Sequence, residues 1–318
     1  MPVAQVEKLT ARSYASDIQP DWCPGCGDFG IINAVRQALA QLEIPPHMVA
    51  IVSGIGCSGK APHYISTYGF HTLHGRALPV ATGLKLANGE VTVLAMGGDG
   101  DGYGIGAGYF VNTGRRNLDI TYIVFNNGVY GLTKGQASPT QIKGQQTKSM
   151  AEPAIQDAIN PIGLALSAGY TFVARAYAMD PRGLAKILVD AISHRGTSYI
   201  DVLQPCPVYN DINTMEWFSG RDRDPRVPRV YDVASDGHEP KVQDPSDAAE
   251  IVAKKQKALQ YSFAWGDRIP IGKFFQLDQP AYDDIMFSRW PEESDTTTSM
   301  YKRAAPGQDI SKIVDRLR

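Results

Sequence analysis

The stretch Val91-Thr92-Val93-Leu94-Ala95-Met96-Gly97-Gly98-Asp99-Gly100-Asp101-Gly102 decides the fold. Its first six residues, 91–96, form a short apolar run that suits a buried strand, and the run ends in a loop of glycine and aspartate. Glycine lets the backbone approach a phosphate closely and turn its N–H groups inward. A helix starting just beyond adds its dipole. An aspartate in such a loop repels phosphate unless a cation lies between them, so Asp99 argues for a bound hard divalent ion such as magnesium. Such an ion takes oxygen ligands and keeps phosphates as co-ligands.

The next apolar run, 120–125, ends in Asn126-Asn127-Gly128-Val129-Tyr130-Gly131. Asn127 follows Asp99 by 28 residues, about the length of a loop, a helix and a strand. In an open α/β sheet ligands collect outside the carboxyl ends of neighbouring strands, so this spacing brings both side chains to one rim. Two ordinary strand-to-helix turns are the competing reading, because Gly, Asp and Asn-Gly are turn signals by themselves.

Further out, strand-like and helix-like patterns alternate. Asp28 reads as the cap of a helix whose stripe is Ile31, Ile32, Val35, Ala38, Leu39 and Leu42. Runs at 48–52 and 199–203 read as strands. Residues 104–116 suffice for a crossover helix, and Asp180-Pro181 starts another that buries Leu184, Ile187, Leu188, Ala191 and Ile192. This alternation predicts an α/β fold, a parallel sheet with helices on both faces. From about Asn210 the texture changes to charged and proline-containing stretches, with one helix expected over 246–260. The expectation is therefore a cofactor-binding domain over 1–210 and an irregular extension over 211–318 that wraps the domain or meets a partner.

Composition excludes several functions. Hydrophobic residues make up 43% and charged residues 20% of 318 residues, with a formal net charge of −2. That is an ordinary globular composition without the basic surplus of a nucleic-acid binder. No apolar run approaches the roughly 20 residues that span a bilayer, and Met1–Thr10 lacks the pattern of a secretory leader. A cytoplasmic protein is expected. The four cysteines, Cys23, Cys26, Cys57 and Cys206, then have little use as disulfides. A Cys-x-x-Cys pair with two further thiols suits metal or cluster ligation better, either a structural zinc site or an iron–sulfur cluster.

These motifs resemble those of the thiamine diphosphate enzymes, whose cofactor motif runs from Gly-Asp-Gly to Asn-Asn. More narrowly, the chain resembles the β subunit of 2-oxoacid:ferredoxin oxidoreductases. The match is carried by Trp22-Cys23-Pro24-Gly25-Cys26-Gly27, Gly54-Ile55-Gly56-Cys57-Ser58-Gly59-Lys60, His74-Gly75-Arg76-Ala77 and Gly98-Asp99-Gly100-Asp101. It continues through Tyr130-Gly131-Leu132-Thr133-Lys134-Gly135-Gln136, Gln204-Pro205-Cys206-Pro207 and Trp265-Gly266-Asp267-Arg268-Ile269-Pro270, and so covers most of the chain.

The resemblance implies that Asp99, Asn127 and the Val129 carbonyl ligate magnesium. It implies that Ile55, Gly56, Cys57, Ser58, Gly98, Asp99, Gly100, Asp101, Gly131, Leu132 and Thr133 line thiamine diphosphate, with His74 as a polar contact. Cys23, Cys26, Cys57 and Cys206 would hold a [4Fe–4S] cluster, zinc being the rival occupant. Lys60 would take the distal carboxylate of a 2-oxoacid. Thr133 and Lys134 are weaker candidates for the substrate or coenzyme A side, and Arg76 is a further anion contact. Without the resemblance each lysine reads as a solvated charge and His74 as a satisfied turn histidine.

The implied reaction is the coenzyme A-dependent oxidative decarboxylation of a 2-oxoacid to an acyl-CoA and carbon dioxide, with electrons leaving through the cluster to ferredoxin. Lys60 favours 2-oxoglutarate or a broad range. A pyruvate-specific enzyme and a non-oxidative 2-oxoacid decarboxylase are the alternatives. No glutamate can be placed among the motif loops to activate the cofactor, and in the family it comes from an α-type (or fused γ/α) partner subunit.

Overall fold

The structure is a computed structural model that describes residues 8–289. The stretch 1–7 and the end of the expected extension, 290–318, lie outside the described residues. In chain order the helices are α1 (Asp28–Gln41), α2 (Ala61–Tyr64), α3 (Ala77–Ala87), α4 (Ala107–Arg116), α5 (Pro161–Ala168), α6 (Pro181–Ser193), α7 (Met215–Ser219), α8 (Ala248–Ser262) and α9 (Tyr282–Ser288). The strands are β1 (Val49–Ser53), β2 (Tyr68–His71), β3 (Thr92–Gly98), β4 (Thr121–Asn126), β5 (Val129–Tyr130), β6 (Gln136–Ala137), β7 (Phe172–Tyr177), β8 (Ser198–Leu203), β9 (Val230–Asp232) and β10 (Ile269–Gln276).

Eight strands form one sheet in the order β2-β1-β3-β4-β8-β7-β10-β9, and β5 pairs with β6 separately. Among the described residues only the β7–β10 pair is antiparallel in the large sheet. Strand β4 shows why the sheet is covered on both faces. Ile123 and Phe125 enter one core with Ile31 and Leu39 of α1 and Leu184 and Leu188 of α6. Tyr122 and Val124 enter the other with Leu78 of α3, Phe110 of α4, Ile162 of α5 and Ala258 of α8. Successive strand side chains point to opposite faces, so a parallel strand covered twice reads as continuously apolar.

The α/β class and the four expected strands are observed, each within two residues of its expected ends. Asp180 caps α6 by accepting from the Gly183 amide at 3.0 Å, and Asp247 caps α8. Two expectations need correction. Asp28 is the first helical residue and not the cap, which is Gly27 without a side-chain bond. Residues 104–106 are not part of α4, because Gly100–Ile105 makes a π-type turn held by Asp101 before the helix begins. Such turns often sit at functional sites.

The sequence carries no clear signal for β2, β7, β9 and β10, and residues after 210 therefore add two strands to the sheet. Strand β7 is buried throughout although it contains Arg175. Arg175 donates through Nε to Asp201 of β8 at 2.9 Å, and Asn126 at the end of β4 donates to the same carboxylate at 2.9 Å. Removing one partner of a buried pair strands the other charge, which costs about 3–5 kcal/mol. Arg175→Met should therefore lower unfolding stability by that amount in denaturant titration. A change within experimental error would remove the pair from the account of the fold.

Candidate active site

The carboxyl ends of β1, β3 and β4 open into one cleft lined by Ile55, Gly56, Cys57, Ser58, His74, Gly98, Asp99, Gly100, Asp101, Asn127, Val129, Gly131, Leu132 and Thr133, together with Phe125 and Tyr130. Residues up to 78 positions apart in sequence are thus neighbours, as the rim of a parallel sheet requires.

Asp99 is almost fully buried. Its Oδ2 accepts from the Gly128 amide at 2.9 Å, Ser138 Oγ at 2.5 Å and Thr140 Oγ1 at 2.6 Å. Burial pushes its carboxyl up from the ordinary value, and these hydrogen bonds pull it back. All three bonds fall on Oδ2, so the carboxylate is oriented through one oxygen. Asn127 Oδ1 accepts from the Val129 amide at 3.0 Å, and the Asn127 carbonyl accepts from Asn210 Nδ2 at 2.8 Å.

Asp101 staples the cleft together. Its Oδ1 accepts from the amides of Ile55 and Gly75 at 2.9 and 2.8 Å, tying the loops after β1 and β2 to the turn after β3. Gly54 is required for this, because a Cβ there would lie 2.0 Å from the Asp101 carboxylate. His74 Nδ1 is 3.0 Å from Asp101 Oδ1 but outside hydrogen-bonding geometry.

The candidate substrate contacts divide. Thr133 lines the cleft and bonds Gln136 at 2.6 Å. Lys60, Lys134 and Arg76 are not in the cleft wall. Lys60 pairs with Asp21 at 2.8 Å, Arg76 stacks its guanidinium 4.9 Å from the Tyr109 ring centre, and Lys134 is exposed in a turn with φ of 86°. The sequence also left Ser138, Thr140 and Asn210 unmarked. They act on Asp99 and Asn127 from loops that carry no motif of their own.

The four cysteines are free, with Cys23 exposed, Cys57 intermediate and Cys26 and Cys206 buried. Burial pushes the Cys57 thiol up to about 11, with nearby Asp28, Cys206 and Cys23 adding to the rise. Burial raises Cys26 further, with Asp28, Cys206 and Cys57 nearby. Cys206 is raised less, because the backbone amides of Tyr209, Val208 and Asn210 favour its thiolate. Gln204 Nε2 donates to Cys26 Sγ at 3.2 Å, and Trp22 Nε1 to the Cys57 carbonyl at 2.9 Å. Buried Asp28, its carboxyl pushed up to about 7 by desolvation, lies among them. Among the described residues no three His, Cys, Asp or Glu side chains are placed to hold a single metal ion.

Comparison with known proteins agrees with this geometry. Residues 48–202 match the thiamine pyrophosphate enzyme C-terminal binding domain, and 206–288 match the C-terminal region of pyruvate ferredoxin oxidoreductase beta subunits. The 2-oxoacid:ferredoxin oxidoreductase subunit beta of Saccharolobus solfataricus is 54% identical over 302 residues, 94% of this chain and 95% of that one. The 2-oxoglutarate oxidoreductase subunit KorB of Mycobacterium tuberculosis is 37% identical over 87% of this chain and 81% of its own. A 2-oxoglutarate:ferredoxin oxidoreductase from Magnetococcus marinus, solved with 2-oxoglutarate, coenzyme A and succinyl-CoA bound, superposes with a TM-score of 0.80 at 32% identity over 99% of this chain and 98% of that one. With its thiamine diphosphate-binding domain, this chain belongs to the β-subunit family of the 2-oxoacid:ferredoxin oxidoreductases.

Proposed function

We propose that this chain carries thiamine diphosphate, magnesium and a [4Fe–4S] cluster in a coenzyme A-dependent oxidoreductase that decarboxylates 2-oxoglutarate or a broad range of 2-oxoacids and reduces ferredoxin. The observation that carries the reading is Cys57, which lines the cofactor cleft and belongs to the cysteine group. A cluster held partly by Cys57 would adjoin the cofactor cleft.

The residues fit both inorganic groups. One carboxylate, one amide oxygen and one backbone carbonyl, from Asp99, Asn127 and Val129, would supply the oxygen ligands that a hard ion such as magnesium takes beside phosphate. Burial disfavours bare thiolates at Cys26, Cys57 and Cys206, which with exposed Cys23 suits ligation of a cationic iron centre, and amides directed at Cys206 are the hydrogen bonds that tune a cluster. Bound thiamine diphosphate supplies the carbanion-stabilising chemistry for loss of carbon dioxide. The chain's own part would be to hold the diphosphate against the backbone of Gly98 and Gly100, to orient magnesium through Asp99, and to offer His74 as a polar contact.

No glutamate lines the cleft among the described residues. An α-type partner subunit supplies the activating one in this reading. Exposed Tyr68, Phe70, Leu73, Ile105 and Tyr109 on and beside the β2 edge offer it an apolar surface. The extension over 211–318 is read as a further contact. Among the described residues no helix is long and apolar enough to cross a membrane, and four free thiols suit a reducing, cytoplasmic setting.

Lys60 is the residue proposed to meet a substrate's second carboxylate. The test is anaerobic co-purification with the partner, then ferredoxin reduction with coenzyme A and a panel of 2-oxoacids. Lys60→Met should raise KM for dicarboxylic acids about tenfold or more, a loss typical of one charge-assisted hydrogen bond, and spare monocarboxylic ones. Reduction with pyruvate alone would favour the narrower enzyme, and carbon dioxide release without ferredoxin reduction would favour a non-oxidative decarboxylase.

A further inference from the structure

Lys60 already has a carboxylate partner in Asp21. Its Nζ donates to Asp21 Oδ1 and Oδ2 at 2.9 and 2.8 Å. The same Oδ1 accepts from Tyr64 Oη at 2.5 Å. The two ends of this pair differ in freedom. Tyr64 is buried at 4% exposure, its ring stands edge-on to Trp22 at 4.8 Å, and its carbonyl accepts from Arg36. Asp21 is therefore anchored from behind. Lys60 is joined to the cleft wall through a three-residue turn that begins at Ser58, and its four-carbon stem is flexible.

We infer that Asp21, held by Tyr64, is the resting counter-ion of Lys60 and limits the preference of the site for 2-oxoacids bearing a second carboxylate. The inference rests on the proposed role of Lys60. A dicarboxylic substrate must exchange its distal carboxylate for Asp21, and a monocarboxylic one leaves the pair intact. The pair is half exposed, at 38% and 63% for the two side chains. Exchange of one carboxylate for another is then close to balanced, since exposed ion pairs contribute little. A site built in this way accepts both classes, whereas an unopposed lysine would select dicarboxylic acids.

The experiment uses the holoenzyme with its partner subunit and compares kcat/KM for 2-oxoglutarate with kcat/KM for pyruvate. Asp21→Asn should raise that ratio about two- to fivefold, the worth of an exposed ion pair, through a lower KM for 2-oxoglutarate. Tyr64→Phe, which loosens the anchor without removing the charge, should move the ratio the same way by less. The double variant with Lys60→Met should match Lys60→Met alone. An unchanged or lowered ratio in Asp21→Asn and Tyr64→Phe, with Lys60→Met still selective, overturns the inference and leaves the role of Lys60 standing. A Lys60→Met variant that affects both substrates equally overturns both. Iron content is measured alongside, because Asp21 precedes Cys23 by two residues. Loss of iron in Asp21→Asn would make the pair a structural tie and count against the inference.

Discussion

Asp99→Ala is expected to weaken thiamine diphosphate binding by about 100-fold or more, the upper range for removing one group that supports a metal site. Here the removed group is itself the proposed anionic ligand. The substitution also strands the donors of Gly128, Ser138 and Thr140 that now converge on Oδ2. A buried donor without a partner costs about 1–3 kcal/mol, so the alanine variant should unfold more easily as well. Asp99→Asn separates the two effects. Its amide oxygen can still accept from the three donors, so folding should stay near wild type, but the anion that attracts magnesium is gone. Calorimetric titration with thiamine diphosphate, with and without magnesium, reads both variants. Wild-type affinity in Asp99→Asn at limiting magnesium would remove Asp99 from the proposed ligand set.

Cys206→Ser should lose most of the iron and sulfide and cut ferredoxin reduction about 100-fold, while thiamine diphosphate binding persists. The division follows from position. Cys206 lies after β8 and outside the cofactor cleft, whereas Cys57 lines it. Cys57→Ser should therefore disturb both cluster and cofactor. Serine replaces a soft thiolate by a hydroxyl that is a poor ligand for iron. Elemental analysis of the wild type decides between a cluster and the rival zinc site, and zinc without iron would sink the cluster assignment.

The parts legible in the sequence share a physical trait. The runs before Asp99 and Asn127 are buried on both faces, so their composition alone marks them as strands. The cleft residues cluster in loops, and some of their glycines have to be glycines. Gly100, for instance, could not carry a Cβ, which would fall 2.2 Å from the Tyr130 ring. Strand β7 escapes notice because Arg175 interrupts its apolar pattern, and only Asp201, 26 residues later, makes that charge tolerable in the core. Strand β10 contains Pro270, Gly272 and Lys273, which read locally as a loop. Asp28 misled in the opposite direction. It has the composition of a helix cap, yet it lies buried among the thiols.

For the segment from Gly98 to Asn127, the sequence by itself determined the chemistry: a glycine–aspartate loop and an asparagine turn set one crossover apart. Local backbone demands and the alternation of a parallel sheet are enough for that, because both act within a few tens of residues. Tertiary structure alone decided how that chemistry is held. It directed Ser138 and Thr140 onto Asp99, made Asp101 the staple between two loops, and gave Lys60 to Asp21. Those pairings depend on which polar groups the packed sheet brings within hydrogen-bonding distance, and no pattern along the chain encodes that.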